Sequence, residues 1–227
     1  VGTLNTANTV SITYNNGNGQ INGALRILIT LTLIALAPTI IVMMTSFTRI
    51  IIVLHFTRSA LNTQTAPPNQ ILIGMALILT FFIMEPTITR INEEAVQPFE
   101  EGVIDQSEAL EKGMAPLREF MYPQTQVKDV ELFMDIAGQE WDGTLEDIPN
   151  SVLVPSFMIS ELRTAFWIGF MIYIPFIVID MVVASTLMSM GMMMLPPTTI
   201  SMPFKILLFV LADGWALIIG QLVQTFY

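Results

Sequence analysis

The apolar runs of this chain constrain its fold most, because every one is short, broken by a proline, or charged. A bilayer-crossing helix needs about 20 predominantly apolar residues, and an internal proline bends a helix. Such broken helices persist where neighbouring protein satisfies the freed backbone groups, so the pattern predicts helices packed on protein. The four runs are residues 21–54 with Pro38, 71–84 ending before Glu85-Pro86, 165–188 with Pro175 and Asp180, and 200–222 with Pro203, Lys205 and Asp213.

Composition points to the same class. Of 227 residues, 53% are hydrophobic and 12% are charged, with a mean hydropathy of +0.64. A soluble domain carries about 25% charged residues, so this chain needs lipid or partner surfaces. It has no cysteine, which excludes thiolate metal sites, and His55 is its only histidine, expected in an exposed loop. No phosphate loop or nucleophile motif occurs, so we expect neither an enzyme nor a cofactor.

The acidic residues are concentrated in the middle of the chain. Seventeen of the 19 lie between Glu85 and Glu161, where only four bases accompany them, giving a local net charge near −13. An acidic segment between apolar arms predicts a water-exposed region held by buried helices. It also argues against nucleic acid as a partner, because nucleic acids select basic surfaces.

These patterns predict an all-α protein in four parts. Residues 1–20 form a flexible arm, 21–84 and 156–227 form two kinked hydrophobic helical hairpins, and 85–155 form an acidic, polar helical region. We place the hairpin loops at 55–70 and 188–200. In the acidic region one helix face is expected to carry Val127, Val130, Leu132, Phe133 and Ile136.

Orientation and processing are also predicted. Arg49, Arg58 and Lys205 lie near the hairpin tips, and positive charge favours the cytoplasmic side. The acidic region is then extracytoplasmic. A start at Val1, without an initiator methionine, is typical of a chain that has lost a signal peptide.

A methionine cluster occupies the second hairpin loop. Five methionines fall within residues 188–194, beside Gly191 and before Pro196-Pro197. Methionine is flexible and polarizable, so it fills changing gaps, and the cluster is interpreted as a deformable apolar plug. Ordinary packing in a core or against lipid is the alternative and stays open. The five are Met188, Met190, Met192, Met193 and Met194.

Charged residues in the second hairpin are the other candidates. Glu161 and Arg163 stand two apart, so they face different neighbours on a helix. Asp180 lies in an apolar run, where a charge is usually paired or functional. Lys205 and Asp213, eight apart, are expected on roughly one helix face. We predict that all five contact adjacent subunits, with solvated charges and a snorkelling lysine as the alternative.

Short motifs in order along nearly the whole chain resemble the FliP family of type III export-gate proteins, in its flagellar branch. The weakest parts of the likeness are residues 1–20 and 138–150. The matching stretches are 43–53 (MMTSFTRIIIV), 66–70 (APPNQ), 80–84 (TFFIM), 155–166 (PSFMISELRTAF), 192–197 (MMMLPP), 203–205 (PFK), 213–215 (DGW) and 224–227 (QTFY).

The resemblance implies a function that periodicity does not. Members form a pentamer that assembles with FliQ and FliR into a ring-like export gate, with other export-apparatus proteins, membrane lipid and exported unfolded polypeptides as partners. It implies the bacterial inner membrane at the flagellar basal body, much of the chain being periplasmic. The family's methionine gasket maps onto Met192, Met193 and Met194, with Met188 and Met190 as neighbours.

Two other functions remain open from the residues. One is a proton- or ion-coupled transporter or stator subunit, in which Asp180 or Asp213 binds the ion. The other is an acidic periplasmic binding domain with membrane anchors, which requires residues 85–155 to fold and bind alone. The methionine turn favours the export gate, since a transporter has no evident need for a soft apolar plug.

Overall fold

A computed structural model describes residues 20–139, 141, 143–144, 148–192 and 195–227. Within those residues the secondary structure is helical and no strand occurs, which confirms the all-α prediction. The helices are α1 Gln20–Met43, α2 Phe47–Ala60, α3 Asn69–Ile91, a π-helical turn Asn92–Val96, α4 Gln97–Glu100, α5 Gln106–Gln124, α6 Val127–Ala137, α7 Asn150–Ser189, α8 Pro197–Leu211 and α9 Gly214–Gln224.

Helix α1 belongs to a separate unit, Val1–Ile41, while the remainder forms the unit Val42–Tyr227. Its segment Leu25–Met43 has a mean hydropathy of 2.3 and none of it is buried. Helix α1 continues through Pro38 and ends at Met43, before α2 begins at Phe47. Proline removes one hydrogen bond but its φ suits a helix, so a long apolar helix can continue past it.

Helix α2 packs against both α3 and α7. Pro68 is the N-cap of α3. The apolar run 71–84 has 14 residues, which is short for a span, but its flanks extend it. The helix continues through Pro86, and Asn69–Glu100 is a candidate span of 32 residues, an 18-residue window of which has a mean hydropathy of 2.1.

The acidic region packs on the first turns of α7. Asp105 caps α5 by accepting from the Glu108 backbone N–H at 2.8 Å, and α6 ends at Gly138 with φ of +66°. The predicted face of α6 was only partly right, because burial falls on Val130 and Met134. Val127, Leu132 and Ile136 are exposed.

Helix α7 is the longest element, with 40 residues, and contains Pro155 and Pro175. Helices α8 and α9 meet at a 66° bend, so the prediction that Lys205 and Asp213 share a helix face was wrong. Asp213 lies at the bend with φ of +49°. Among the described residues, three helices are long and apolar enough to cross a membrane, or up to four if the bent pair counts as one span.

The predicted division at 84/85 and 155/156 coincides with no helix end. Helices α3 and α7 run straight through those positions. One core cluster joins Met121 and Met134 of the acidic region to Phe157 of α7 and to Met44. The acidic region therefore shares its core with the second hairpin. The arm, residues 1–20, lies almost wholly outside the described residues.

Candidate functional site: the methionine turn and the internal ion pairs

The methionine turn begins where α7 ends in a Schellman arrangement. The Met192 N–H donates to the Leu187 carbonyl at 3.0 Å, and the Gly191 N–H donates to the Met188 carbonyl at 3.1 Å. Gly191 has φ of +76°, which a residue with a side chain rarely adopts. The sequence therefore terminates α7 with a glycine in a defined turn, and that turn sets the direction of the methionines.

The described turn methionines lie on the surface of the chain. Met188, Met190 and Met192 are 58%, 63% and 44% exposed, whereas Met121 and Met134 are 0% and 2% exposed. Packing in the core of this chain is thus wrong for these three, while packing against lipid or another chain stays open. Met193 and Met194 lie outside the described residues.

An apolar groove of about 510 Å³ lies beside the turn, between α7 and α8. Val178, Val182 and Thr186 line one side, and Ile200 and Phe204 line the other. The groove extends the exposed apolar surface from the turn back along both helices. The surface beside the methionine turn is therefore apolar rather than charged.

Glu161 forms the most deeply buried ion pair, with Arg49 of α2. Both residues are nearly inaccessible, and the Arg49 Nε donates to Glu161 Oε2 at 3.0 Å while a second guanidinium nitrogen binds Oε1. Arg49 also donates to the Thr225 carbonyl at 3.1 Å and Gln124 Oε1 at 2.9 Å. Its guanidinium carbon lies 4.0 Å from the centre of the Phe226 ring. One arginine thus connects α2, α5, α7 and the C-terminal residues.

Arg163 pairs with a different neighbour, as the two-residue spacing predicted. It donates to both carboxylate oxygens of Asp129 at 2.8 Å. Asp129 is 1% exposed and also accepts from the Ser160 hydroxyl at 2.6 Å. This bidentate pair attaches α6 to α7.

Asp180 is paired across the second hairpin. The Lys205 ammonium donates to Asp180 Oδ2 at 2.6 Å and to the Ala60 carbonyl at 3.2 Å, and the Ser201 hydroxyl donates to Asp180 Oδ1 at 2.5 Å. Lys205 is 3% exposed, so it does not snorkel to the surface. The pair holds α7, α8 and the end of α2 together.

Four of the five predicted charges therefore find partners within the chain. We predicted contacts between subunits because each of these charges needs a partner. For Glu161, Arg163, Asp180 and Lys205, partners within the chain meet that need. Asp213 is exposed at the α8–α9 bend and makes no side-chain cap bond. Contact between Asp213 and another subunit stays a prediction.

Sequence reasoning missed Arg49 and Asp129. The sequence did contain a signal for Arg49, which is followed by Ile50, Ile51 and Ile52. A charge in an apolar run is usually paired or functional, as was argued for Asp180. No pattern pairs residues that lie 112 positions apart, as Arg49 and Glu161 do. Asp129 resembled the other acidic residues of its region, and only the tertiary structure buries it.

His55 lies within α2, not in an exposed loop. Its Nδ1 is 3.0 Å from Arg58 Nη2, and burial together with the Arg58 charge lowers its pKa. The ring is therefore neutral at pH 7 and accepts from Arg58. Among the described residues no three His, Cys, Asp or Glu side chains gather as a metal site.

Comparison with known proteins confirms the resemblance. Residues 30–222 match the FliP family. The chain is 56% identical over 207 residues to Flagellar biosynthetic protein FliP of Bacillus subtilis, covering 91% of this chain and 94% of that protein. It is 51% identical to that of Pectobacterium carotovorum over 93% and 82% of the two chains, and 47% identical to that of Aquifex aeolicus over 92% and 89%. Because the family model matches most of the chain and these relatives are 47–56% identical over most of both chains, the chain belongs to the FliP family.

Proposed function

We propose that this chain is a core subunit of the flagellar type III protein export gate. In this role it lines the protein-conducting pore and closes it with the methionine turn. Family membership supports the export apparatus, and the relatives' name supports the flagellum. The observation that carries the closure is the exposure of Met188, Met190 and Met192 at a defined turn.

The distribution of charged and apolar side chains supports assembly with other chains. Glu161 and Asp180 are paired within the chain, with Arg49 and Lys205. Large apolar side chains, by contrast, stay exposed along the helices, among them Phe81, Phe166 and Trp167. Extensive exposed apolar surface marks contact with lipid or protein. We propose a homo-oligomer, a pentamer by family resemblance, that binds FliQ and FliR in the bacterial inner membrane at the basal body. Its acidic region would be periplasmic and its signal peptide removed.

The closure works by exclusion of water. Several copies of the turn, converging at one level, would form an apolar constriction that blocks ions by dewetting. Methionine side chains have three rotatable bonds, so the ring parts for an unfolded polypeptide and closes behind it. No bond is made or broken in this step, which fits a conducting subunit rather than an enzyme.

Ion conductance across membranes that carry the assembled gate tests the proposal. Replacing Met192, Met193 and Met194 with alanine should raise the leak while assembly is retained. Met181→Ala is the matched control, because Met181 is 64% exposed but lies on α7 away from the turn. A leak unchanged in the triple variant, at matched protein level, would show that these methionines do not seal a pore.

The ion-coupled alternative is not favoured by the structure. Asp180 already binds the Lys205 ammonium and the Ser201 hydroxyl, so its carboxylate is neutralised by the protein itself. The binding-domain alternative is weakened as well, because the acidic region shares its core with α7. Neither alternative accounts for exposed methionines at a turn.

A further inference from the structure

The loop that joins α2 to α3 is bonded to the start of α8. Helix α2 ends at Ala60, and Asn62 follows it with φ of +61°. The Asn62 carboxamide Nδ2 donates to the Thr198 carbonyl at 2.9 Å, although the two residues lie 136 positions apart. Because α8 begins at Pro197, this bond connects the end of α2 to the first turn of α8, just beyond the methionine turn.

The backbone at Asn62 does not by itself require this bond. A positive φ after a helix is taken most readily by glycine, and asparagine also tolerates it. Glycine would therefore satisfy the backbone alone, whereas asparagine adds a donor that reaches the Thr198 carbonyl. The contact between the two segments is thus a property of the side chain and can be removed separately from the turn.

A second contact between the same segments fixes the direction of α8. The Lys205 ammonium, which is bound to Asp180, donates to the Ala60 carbonyl at 3.2 Å. Thr198 and Lys205 are separated by about 10 Å along α8, at a helical rise of 1.5 Å per residue. One contact holds a point on a helix, whereas two contacts at this spacing also hold its tilt. Of the two, the Asn62 bond lies nearer to the methionine turn.

We propose that Asn62 is a positioning residue for the methionine turn. Helix α7 ends at Ser189 and α8 begins at Pro197, so the short connection between them must follow the first turn of α8, which Asn62 holds. The consequence for closure rests on the proposed function. An apolar constriction requires the turns of several copies to converge at one level, and the Asn62 bond fixes that level in each copy.

Hydrogen–deuterium exchange on the assembled complex tests the contact. Asn62→Gly removes the carboxamide, while glycine adopts the positive φ without strain. Asn62→Asp keeps a side chain that tolerates this φ, but its carboxylate accepts and does not donate. In both variants the amides of residues 199–202 should exchange several-fold faster than in the wild type, with little change in unfolding temperature.

Asn69→Ala is the matched control for this exchange, because Asn69 accepts a hydrogen bond from Arg58 within the same hairpin. Its loss should leave the exchange of residues 199–202 as it is in the wild type. If neither Asn62 variant exchanged faster there than Asn69→Ala, Asn62 would not hold α8 and the proposal would be overturned.

Ion conductance tests the consequence. At matched assembly, Asn62→Gly and Asn62→Asp should each leak severalfold more than the wild type and Asn69→Ala. A loss of stability alone would lower the yield of the complex and would not raise the leak of each assembled complex. If the alanine variant of Met192, Met193 and Met194 leaks and the Asn62 variants do not, the positioning role fails and the proposed function stands. If none of them leaks, both fail.

Discussion

The two ends of α7 lie in opposite environments, one buried and one exposed. At its start, Leu153, Phe157 and Glu161 are each 0% exposed, covered by α2 and the acidic region. At its far end, Val182 and Met188 are 61% and 58% exposed. One continuous helix of 40 residues thus runs from a closed, polar-bonded interior to an open apolar surface.

The difference shows where specificity and adaptability are placed. The buried end is held by ion pairs whose hydrogen bonds require one geometry, with Arg49 and Asp129 each contacting several groups. The open end carries side chains whose contacts are dispersive and tolerate movement. The proposed function needs both, because a fixed frame would have to support a deformable closure.

Glu161→Ala tests the buried end and should have the largest effect. Removing the carboxylate leaves the Arg49 guanidinium buried without its ion partner, which costs on the order of 3–5 kcal/mol. We expect a lower unfolding temperature in detergent and a lower yield of assembled complex. Glu119→Ala, which breaks the exposed pair with Arg90, is the control and should cost less than about 1 kcal/mol. Equal stability of the two variants would contradict a structural role for the buried pair.

Gly169→Ala tests the middle of α7, between its buried end and its exposed end. A Cβ there would lie 2.5 Å from Cγ and Cδ2 of the Phe56 ring, so α2 must shift. Overpacking of this kind costs about 1–3 kcal/mol. Thermal unfolding measures it, with Gly74→Ala of α3 as the control because a Cβ there meets nothing within 4 Å. If Gly169→Ala were as stable as Gly74→Ala, close α2–α7 contact would not define the boundary.

Gly191→Ala tests the open end. Its φ of +76° is strained for any residue with a Cβ, at a cost of roughly 1–2 kcal/mol. Because the turn is exposed, we expect the strain to alter the methionine positions and raise the ion leak, with little change in unfolding temperature. Gly220→Ala in α9 is the control, because Gly220 does not have a positive φ. An unchanged leak would mean that the turn geometry does not matter for closure.

The smallest effect concerns pH and the cap of α5 beside the buried end. The Glu108 backbone N–H, then the Ser107 hydroxyl, lower the pKa of Asp105 from its ordinary 3.8. A lowered folded-state pKa means that the stabilisation is complete above the unfolded value and is lost as pH falls through the folded value. Unfolding temperature should therefore decline slightly below about pH 4. Asp105→Asn keeps a capping oxygen but does not titrate, so this variant should lack that part of the decline.

Much of this arrangement could be predicted from the sequence, but some of it could not. Helical periodicity and Gly191 in the methionine turn are local signals, and they predicted the helical class and the turn at the end of α7. The exact ends of α1 and α3 were not predicted, because proline weakens a helix locally whereas apolar length sustains it through Pro38 and Pro86. The partner of Glu161 was missed because no local pattern connects α2 to α7.

By itself, the sequence determined the helical class, the acidic middle, the methionine turn and the FliP family, since these depend on residue type and spacing along the chain. Only the tertiary structure decided that Arg49 binds Glu161, that Asp129 is buried against Arg163, and that Lys205 neutralises Asp180. Those pairings join residues from different helices, and ion pairs form where packing brings charges into a dry interior. The same packing leaves Met188, Met190 and Met192 outside that interior, at the surface of the chain.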